Sequence, residues 1–398
     1  MSMQIALSGL NAASTDLKVT SNNIANANTI GFKSSRGEFA DVFSGNTAGI
    51  GNGVRLTDVR QEFTQGNVEI TERQLDLAVS GNGMFIVNDG GGLLYSRVGA
   101  FGLDALGFVE NAEGERLQIY PALSDGNFNT GTLSDLQITT DTSPPEPSTL
   151  VDMNINLPAD AADPVVTPFD PSDPQSYNHS TSTVVYDSLG VAHTATYFFA
   201  RNGADWEASQ TIDGNLVGTP QTFNFAADGS IANPVNGVLT YPAYSPGNGA
   251  SDVVLDLDLS ATTQFGSNFV VNSLNPDGRA AGRLRSVEVD GTGVVFARFS
   301  NGQSLSIGKI ALANFSNPEG LIKISDTSFQ ETFSSGVAQR GEATESNFGL
   351  IQSGALESSN VDLTEQLVKM ITAQRLFQAN AQVISTMDTV TQTIINIR

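Results

Sequence analysis

Cysteine is absent from all 398 residues, which excludes disulfides, thiolate metal ligation and thiol catalysis. Only two histidines occur, His179 and His193, so most zinc sites and histidine acid–base sites drop out. Positive charge is scarce as well. Nineteen Lys and Arg stand against 42 Asp and Glu, a formal net charge of −23. Nucleic-acid binding draws on Lys and Arg, and an anionic membrane surface repels so acidic a chain, so neither partner fits. No run approaches the roughly 18 apolar residues of a membrane helix, and no membrane insertion is expected. Met1–Thr20 has neither a basic n-region nor an apolar h-region, so no cleaved secretory signal is expected either. What is present is glycine, 39 residues of it, with charged residues held to 15%. That profile suits short strands joined by tight turns.

The two ends differ from the middle. Met1–Ile24 contains no Pro, and its one Gly is Gly9. Apolar residues recur at Met3, Leu7, Leu10, Leu17 and Ile24, a heptad-like stripe with Ser14 and Ser21 in the remaining slots. Asn22, Asn23, Asn26 and Asn28 end this helix, and Gly31 follows; Asn and Gly tolerate the left-handed backbone of helix ends. At the other end, Asp362–Ile397 is free of Gly and Pro. Asp362 followed by Glu365 reads as an N-cap with its reciprocal Glu. Leu363, Leu367, Met370, Phe377, Ala381, Ile384 and Ile395 form a second stripe of period about 3.5, interrupted by Gln374, Asp388 and Thr391. About 35 residues of helix at about 1.5 Å each make a rod of some 50 Å, too long for the core of a domain this size.

Stripes this narrow make helices that are marginal in isolation. The ends are therefore expected to be poorly ordered alone, and to become helical against each other and against neighbouring copies. The residues expected to carry that packing and assembly are Leu7, Leu10, Leu17, Ile24, Leu367, Met370, Phe377, Ile384 and Ile395. The plainer alternative is a helical hairpin within one chain.

Between the ends the pattern is β throughout. Leu75–Val79 and Met84–Val87 read as short strands around the turn Gly81-Asn-Gly83, and Asn88–Gly92 as a hairpin turn. Leu255-Asp-Leu-Asp-Leu259 alternates strictly, with its carboxylates expected outward. Eight of the 15 prolines fall between Pro144 and Pro174, marking a linker or an irregular excursion. A second boundary is expected at Asn275-Pro-Asp-Gly278. Residues 151–278 hold 14 acids and one base, Arg201, a net −13 against −10 for the rest of the chain. The fold class expected is multidomain and mainly β: an acidic β domain set within another β domain, with the N- and C-terminal α-helices paired as a coiled coil.

Catalytic and ligand-binding patterns find little purchase. No G-x-x-x-x-G-K-[ST] or G-x-S-x-G occurs. Gly51-Asn-Gly53 and Gly81-Asn-Gly83 are turn glycines rather than a phosphate cradle. His179 and His193, among Ser, Thr and Asp, are expected on exposed loops or strands. Asp252, Asp256 and Asp258 have the chemistry for calcium, but the alternation spreads Asp256 and Asp258 along one solvent face. No catalytic site, metal or cofactor is expected.

Long motifs at both ends resemble a known family. Ser21-Asn-Asn-Ile-Ala-Asn-Ala-Asn-Thr-Ile-Gly-Phe-Lys33 is similar to the N-terminal motif of the axial proteins of the bacterial flagellum. Ser353-Gly-Ala-Leu-Glu-Ser-Ser-Asn-Val-Asp-Leu363, Met370-Ile-Thr-Ala-Gln-Arg375 and Phe377-Gln-Ala-Asn380 resemble the segment around their last helix. Phe63–Asn67 and Leu75–Phe85 fit the same group. Gly282-Arg-Leu284, Ser300-Asn-Gly302 and Ile310–Leu321 resemble its hook branch, and the large insert favours that branch over the shorter rod members. The match is strong over about residues 1–120 and 279–398 and weak over the acidic insert.

The resemblance implies a homopolymer, a curved hollow tube with the terminal helices lining it and the β domains outside. On that layout residues 1–30 and 361–398 form the helical inner domain, and 31–71 and 350–360 link it to the rest. Residues 72–145 and 279–349 form the inner β domain, and 146–278 the outer one. The implied partners are many copies of the chain itself, the rod and hook–filament junction proteins, the hook cap during assembly and the flagellar type III export apparatus. Phe39-Ala-Asp-Val-Phe43 resembles an export-gate motif; the plainer reading of Phe39 and Phe43 is a small apolar contact. A distal rod protein, a secreted β-rich adhesin and an enzyme using the acidic insert are the competing readings.

Overall fold

The computed structural model of the protein describes residues 2–42, 51–123, 126–139, 142–345 and 347–396. The chain is mainly β. Among the described residues α-helix occurs only at the ends, as α1 (Ser2–Ala25) and α2 (Leu363–Asn396), with a single 3₁₀ turn at Pro318–Gly320 between them. It divides into two compact units. One comprises residues 1–139, 286–298 and 304–398; the other comprises 140–285 and 299–303.

In the first unit the outgoing and returning chain pair in nested order. The two helices lie against each other. After α1 comes an antiparallel hairpin of β1 (Ser35–Asp41) and β2 (Val54–Gln61). Next, β3 (Val68–Ile70) pairs with Ala355–Glu357, and β4 (Leu77–Ser80) pairs with Leu350–Ser353. Beyond these lies a larger sheet around the long strand Ser304–Asn314, which takes β5 (Met84–Asn88), Arg116–Pro121, Val294–Phe299 and Gln339–Glu342 as partners. β5 forms its hairpin with β6 (Leu93–Ser96) across Asp89–Gly92. Met84, Ile86, Tyr95, Tyr120, Ala311, Ala313 and Phe315 build a core on this sheet, with Tyr95 and Phe315 packed edge to face. Alternating side chains of a strand point to opposite faces, which is why residues two apart share this core.

The second unit has its own core, shared by two sheets. A five-stranded antiparallel meander runs His179–Tyr186, Ala192–Asn202, Asp205–Ile212, Asn215–Phe225, Ile231–Asn233. Facing it is a sheet centred on Leu150–Pro158. Val151, Met153, Ile155 and Leu157 from that strand meet Tyr197, Phe199, Trp206, Ala208 and Phe223 from the meander. Trp206, the chain's single tryptophan, is fully buried here.

Three expectations are corrected in this unit. His193 is buried rather than exposed. Its Nδ1 lies 2.6 Å from Asp213 Oδ2 and its Nε2 3.3 Å from Asp187 Oδ2, while Asn248 donates to the same Asp187 oxygen at 2.6 Å. His179 is not a free surface group either, since it stacks on Phe269 with ring centroids 4.4 Å apart. Leu255, Leu257 and Leu259 do point inward, but Asp256 is not wholly turned to solvent, because its Oδ1 is enclosed without a protein hydrogen-bond partner. For the histidines, polar neighbours in the sequence suggest exposure, yet His193 lies on the same strand face as the core residues Ala195, Tyr197 and Phe199, and the Phe269 ring covers His179.

Candidate assembly site

The helical pair and its root form the most distinctive surface of the first unit. On α2 the less exposed positions are Gln366, Met370, Ala373, Phe377, Asn380, Ile384 and Met387, with Ala381 beside them. Their spacing alternates four and three, the heptad rhythm that keeps one seam facing a partner helix. On α1 the buried positions are Ala6, Ala13, Thr20 and Asn23. The seam therefore differs from the apolar stripe in the sequence. Met3 and Leu7 are exposed, while Leu10, Leu17 and Ile24 are half-buried at its margin. On α2, Met370, Phe377 and Ile384 sit in the seam, but Leu367 and Ile395 face outward.

The physical reason is size. The distance between helix axes depends on the side chains at the crossing, and Ala6, Gly9 and Ala13 let α2 come close. A Cβ at Gly9 would lie 2.7 Å from Asn380 Oδ1. The α1 side of the seam is thus small and polar; Met370, Phe377 and Ile384 enter it from α2, and the other large apolar groups of α2 are left outside it. Leu363, Leu367, Val368, Ile371, Leu376 and Val383 along α2 are all at least two-fifths exposed. A single chain already brings both helices together, whereas the sequence reading expects order only with neighbouring copies as well.

Capping follows the sequence in part. Asp362 Oδ1 accepts the amides of Thr364 and Glu365 at 2.8 and 3.1 Å, satisfying two donors at the start of α2. The Glu365 carboxylate lies 2.8 Å from Lys369 Nζ.

At the root of the pair lies a buried ionic cluster. Glu357, fully buried, accepts from Lys33 Nζ at 2.7 Å, from Arg97 Nη1 at 3.3 Å and from the Gly66 amide at 2.8 Å. Lys33 also donates to the Thr64 carbonyl at 2.7 Å, and Arg97 to the Gly81 carbonyl at 2.7 Å. Burial pushes both cations' pKa down, and Glu357 opposes that push. The Gly31 amide donates to the Glu357 carbonyl at 2.7 Å. Gly31 itself has φ +65, and a Cβ there would lie 2.6 Å from Val98 Cγ2, so glycine is required on both counts.

Asn residues finish the joint. Asn23 exchanges two hydrogen bonds with the Ser35 backbone and donates to Gln366 Oε1 at 3.1 Å. Asn360 accepts from the Ser34 amide at 2.7 Å and donates to the Glu62 carbonyl at 2.7 Å. Three segments far apart in sequence, around residues 23–35, 62–97 and 353–366, are locked together by groups that pattern reading passes over. Lys33, Arg97, Glu357, Asn23 and Asn360 carry no periodic signal. Their only mark in the sequence is that most lie inside the motif blocks.

The β1–β2 hairpin leans on α1. The Val54 amide donates to Ser8 Oγ at 3.1 Å, and Gly53, at φ +102, approaches so closely that a Cβ would fall 2.1 Å from the same oxygen. Phe39, on β1, is about two-fifths exposed at the rim of the groove between this hairpin and the helices. Phe43 lies outside the described residues. Among the described residues no group of three or more His, Cys, Asp and Glu could hold a metal, and no helix is long and apolar enough to cross a membrane.

The chain is β-rich and its two ends return as one helical pair, as its resemblance to flagellar axial proteins implies. Four family descriptions match it in order. They are Flagella basal body rod protein over residues 3–33, Flagellar hook protein FlgE/F/G D1 domain over 78–168, Flagellar basal body protein FlaE D2 domain over 156–279 and Flagellar basal body rod FlgEFG protein C-terminal over 352–397. Flagellar hook protein FlgE of Escherichia coli (strain K12) is 39% identical over the whole of both chains. That of Salmonella typhimurium is 38% identical, again over both chains in full, and that of Borreliella burgdorferi 32% over all of this chain and 99% of its own. The crystal structure of Helicobacter pylori flagellar hook protein FlgE2 shares the fold, with TM-score 0.54 at 16% identity over 73% of this chain and 100% of that one. The chain belongs to the flagellar hook protein FlgE family.

Proposed function

We propose that this chain is the structural subunit of a bacterial flagellar hook, polymerising into a curved hollow tube that passes torque from the rod to the filament. The observation that carries the reading is full-length similarity to hook proteins, joined to a helical pair with large apolar groups facing outward. Stiffness along the tube comes from helices packed against helices of other copies. Bending comes from outer β domains that slide past one another with weakly committed polar surfaces, as the net −13 of the insert suits.

In this reading residues 1–30 and 361–398 line the tube, 31–71 and 350–360 link, 72–145 with 279–349 form the middle layer and 146–278 the outside. The role is mechanical and not catalytic. The chain leaves the cell through the flagellar type III apparatus without cleavage, with Phe39 and Phe43 as candidate gate contacts. It assembles under a hook cap between rod and hook–filament junction proteins.

Electron microscopy of the purified polymer tests the reading. Deleting residues 1–24 is expected to abolish tube formation while the β units remain folded. Tubes of ordinary length from the deleted chain would refute it. A distal rod role is the second reading, favoured by the rod-protein matches at both ends; finding the chain in basal bodies stripped of hooks would support it.

A further inference from the structure

The two helices differ in length, and the excess falls at one end. Gly9 faces Asn380, and Asn23 bonds Gln366, so the helices run antiparallel. The same register carries Ser2 to about Met387. Residues 388–396 of α2 therefore continue past the start of α1 by roughly 13 Å at about 1.5 Å per residue. On this overhang Val390, Ile394 and Ile395 are 47%, 64% and 67% exposed.

The threonines of the same segment are less polar than their formula. Thr389, Thr391 and Thr393 each turn the hydroxyl back to the carbonyl four residues earlier, at 2.8 to 2.9 Å. A hydroxyl satisfied by its own helix backbone no longer needs water. The overhang is thus an amphipathic helical end: Val390, Ile394 and the threonine methyls present an apolar side, Asp388, Gln392 and Asn396 fall on the other, and the apolar side has no partner in its own chain among the described residues.

A receptor of matching character lies further along the pair. A groove of about 370 Å³ runs between α1, α2 and the β1–β2 hairpin, lined by Gly9, Ala12, Ala13, Phe39, Val54 and Leu376, with Asp16 and Asn380 as its polar members. Small residues and large apolar ones make up most of that lining, a surface that suits branched aliphatic side chains. The chain's own overhang cannot fill it, because both belong to one continuous helix and the overhang leads away from the groove.

We propose that the overhang 388–396 of one copy seats in this groove of the next copy, with Val390 and Ile394 as the knobs. The inference deepens the hook-subunit reading and rests on it. It continues the α1–α2 seam across copies, because the neighbour's helices take up the overhang where α1 stops. Plug and socket are different surfaces of the same chain, so the contact is heterologous, and such contacts grow open-ended helical assemblies rather than closed dimers.

The native absence of cysteine gives a clean test. In full-length protein carrying both Ala12→Cys and Ile394→Cys, oxidation of the polymer is expected to give a ladder of covalent multimers on a non-reducing gel. Either single variant gives none beyond a dimer. Polymer from the double variant without a ladder would overturn the proposal. Separately, Val390→Asp with Ile394→Asp is expected to leave the monomer's helical melting curve unchanged and to raise the concentration needed for polymer about tenfold or more. Polymerisation like that of the parent, or a monomer that melts lower, would each overturn it. A parent chain that forms no tube would instead refute the hook-subunit reading, and the proposal with it.

Discussion

Replacing Glu357 by Gln should destabilise the first unit by about 3–5 kcal/mol while leaving the second untouched. The substitution keeps shape and removes one negative charge from a site where Lys33, Arg97 and Glu357 are almost wholly buried. In the parent the cluster carries one excess positive charge. In the variant it carries two cations with no anion among their bonded neighbours, and removing one partner of a buried pair typically costs about 3–5 kcal/mol. With a urea m-value of about 2 kcal/mol/M, a loss of about 4 kcal/mol lowers the midpoint by about 2 M.

Two probes separate the units. Helical circular dichroism reports α1 and α2 in the first, and fluorescence of Trp206 reports the core of the second. The helical transition should shift and the fluorescence transition should stay. The loss should also shrink as pH rises toward 10. Lys33 already has its pKa pushed down by burial, with Glu357 opposing; without Glu357 it falls further below the unfolded value of about 10.4. Between those two values the unfolded chain binds more protons than the folded one, so stability rises with pH and Lys33 sheds its charge. Lys33→Met leaves Glu357 and Arg97 as a balanced pair and should cost less than Glu357→Gln. A helical transition that does not move in Glu357→Gln, or one matched by an equal move of the Trp206 signal, would refute the reasoning.

Other outcomes follow from the same geometry. Ala13→Leu puts a large side chain into the small-residue seam and should cost about 1–3 kcal/mol as the helices are forced apart, read by helical melting of the full chain. The second unit should be most stable in mild acid. Burial works against the charged form of His193, but Asp213 and Asp187 outweigh it and raise its pKa above the usual value. Its contribution is complete below about pH 6.5 and fades as pH climbs through the raised folded value. Burial raises the Asp187 pKa, but hydrogen bonds from Asn248, the Val191 amide and His193 outweigh it and hold the pKa at about 2. The Asp187 contribution is therefore present above about pH 4 and lost as pH falls toward 2. A Trp206 melting profile that is flat from pH 6 to 8, or unchanged in that range by His193→Ala, would contradict this.

The helices, the β middle and the family were legible because each leaves a local signature. The Gly- and Pro-free stretch after Asp362, striped at a helical period, is helix over Leu363–Asn396, and the turn at Asn88–Gly92 sits between the strands of a real hairpin. The seam was less legible. A stripe of large apolar residues such as Met3, Leu7 and Leu367 signals packing or assembly without saying against what; within one chain, close approach of the helices uses Ala6, Gly9 and Ala13 and leaves those large groups exposed. Hydrophobicity alone does not separate a surface buried in one chain from one left for another. Nor did sequence show that His193 is held between Asp187 and Asp213, since the strand Asp205–Ile212 and the turn after it reach the histidine through sheet pairing.

By itself the sequence determined the kind of element at each place, because propensity and periodicity act over a few residues. The tertiary structure decided which elements meet. Lys33 and Glu357 are 324 positions apart, and Arg97 and Glu357 are 260 apart. No local pattern announces such pairs. They exist because the chain returns along its own outgoing path, and because charges taken out of water must find one another there.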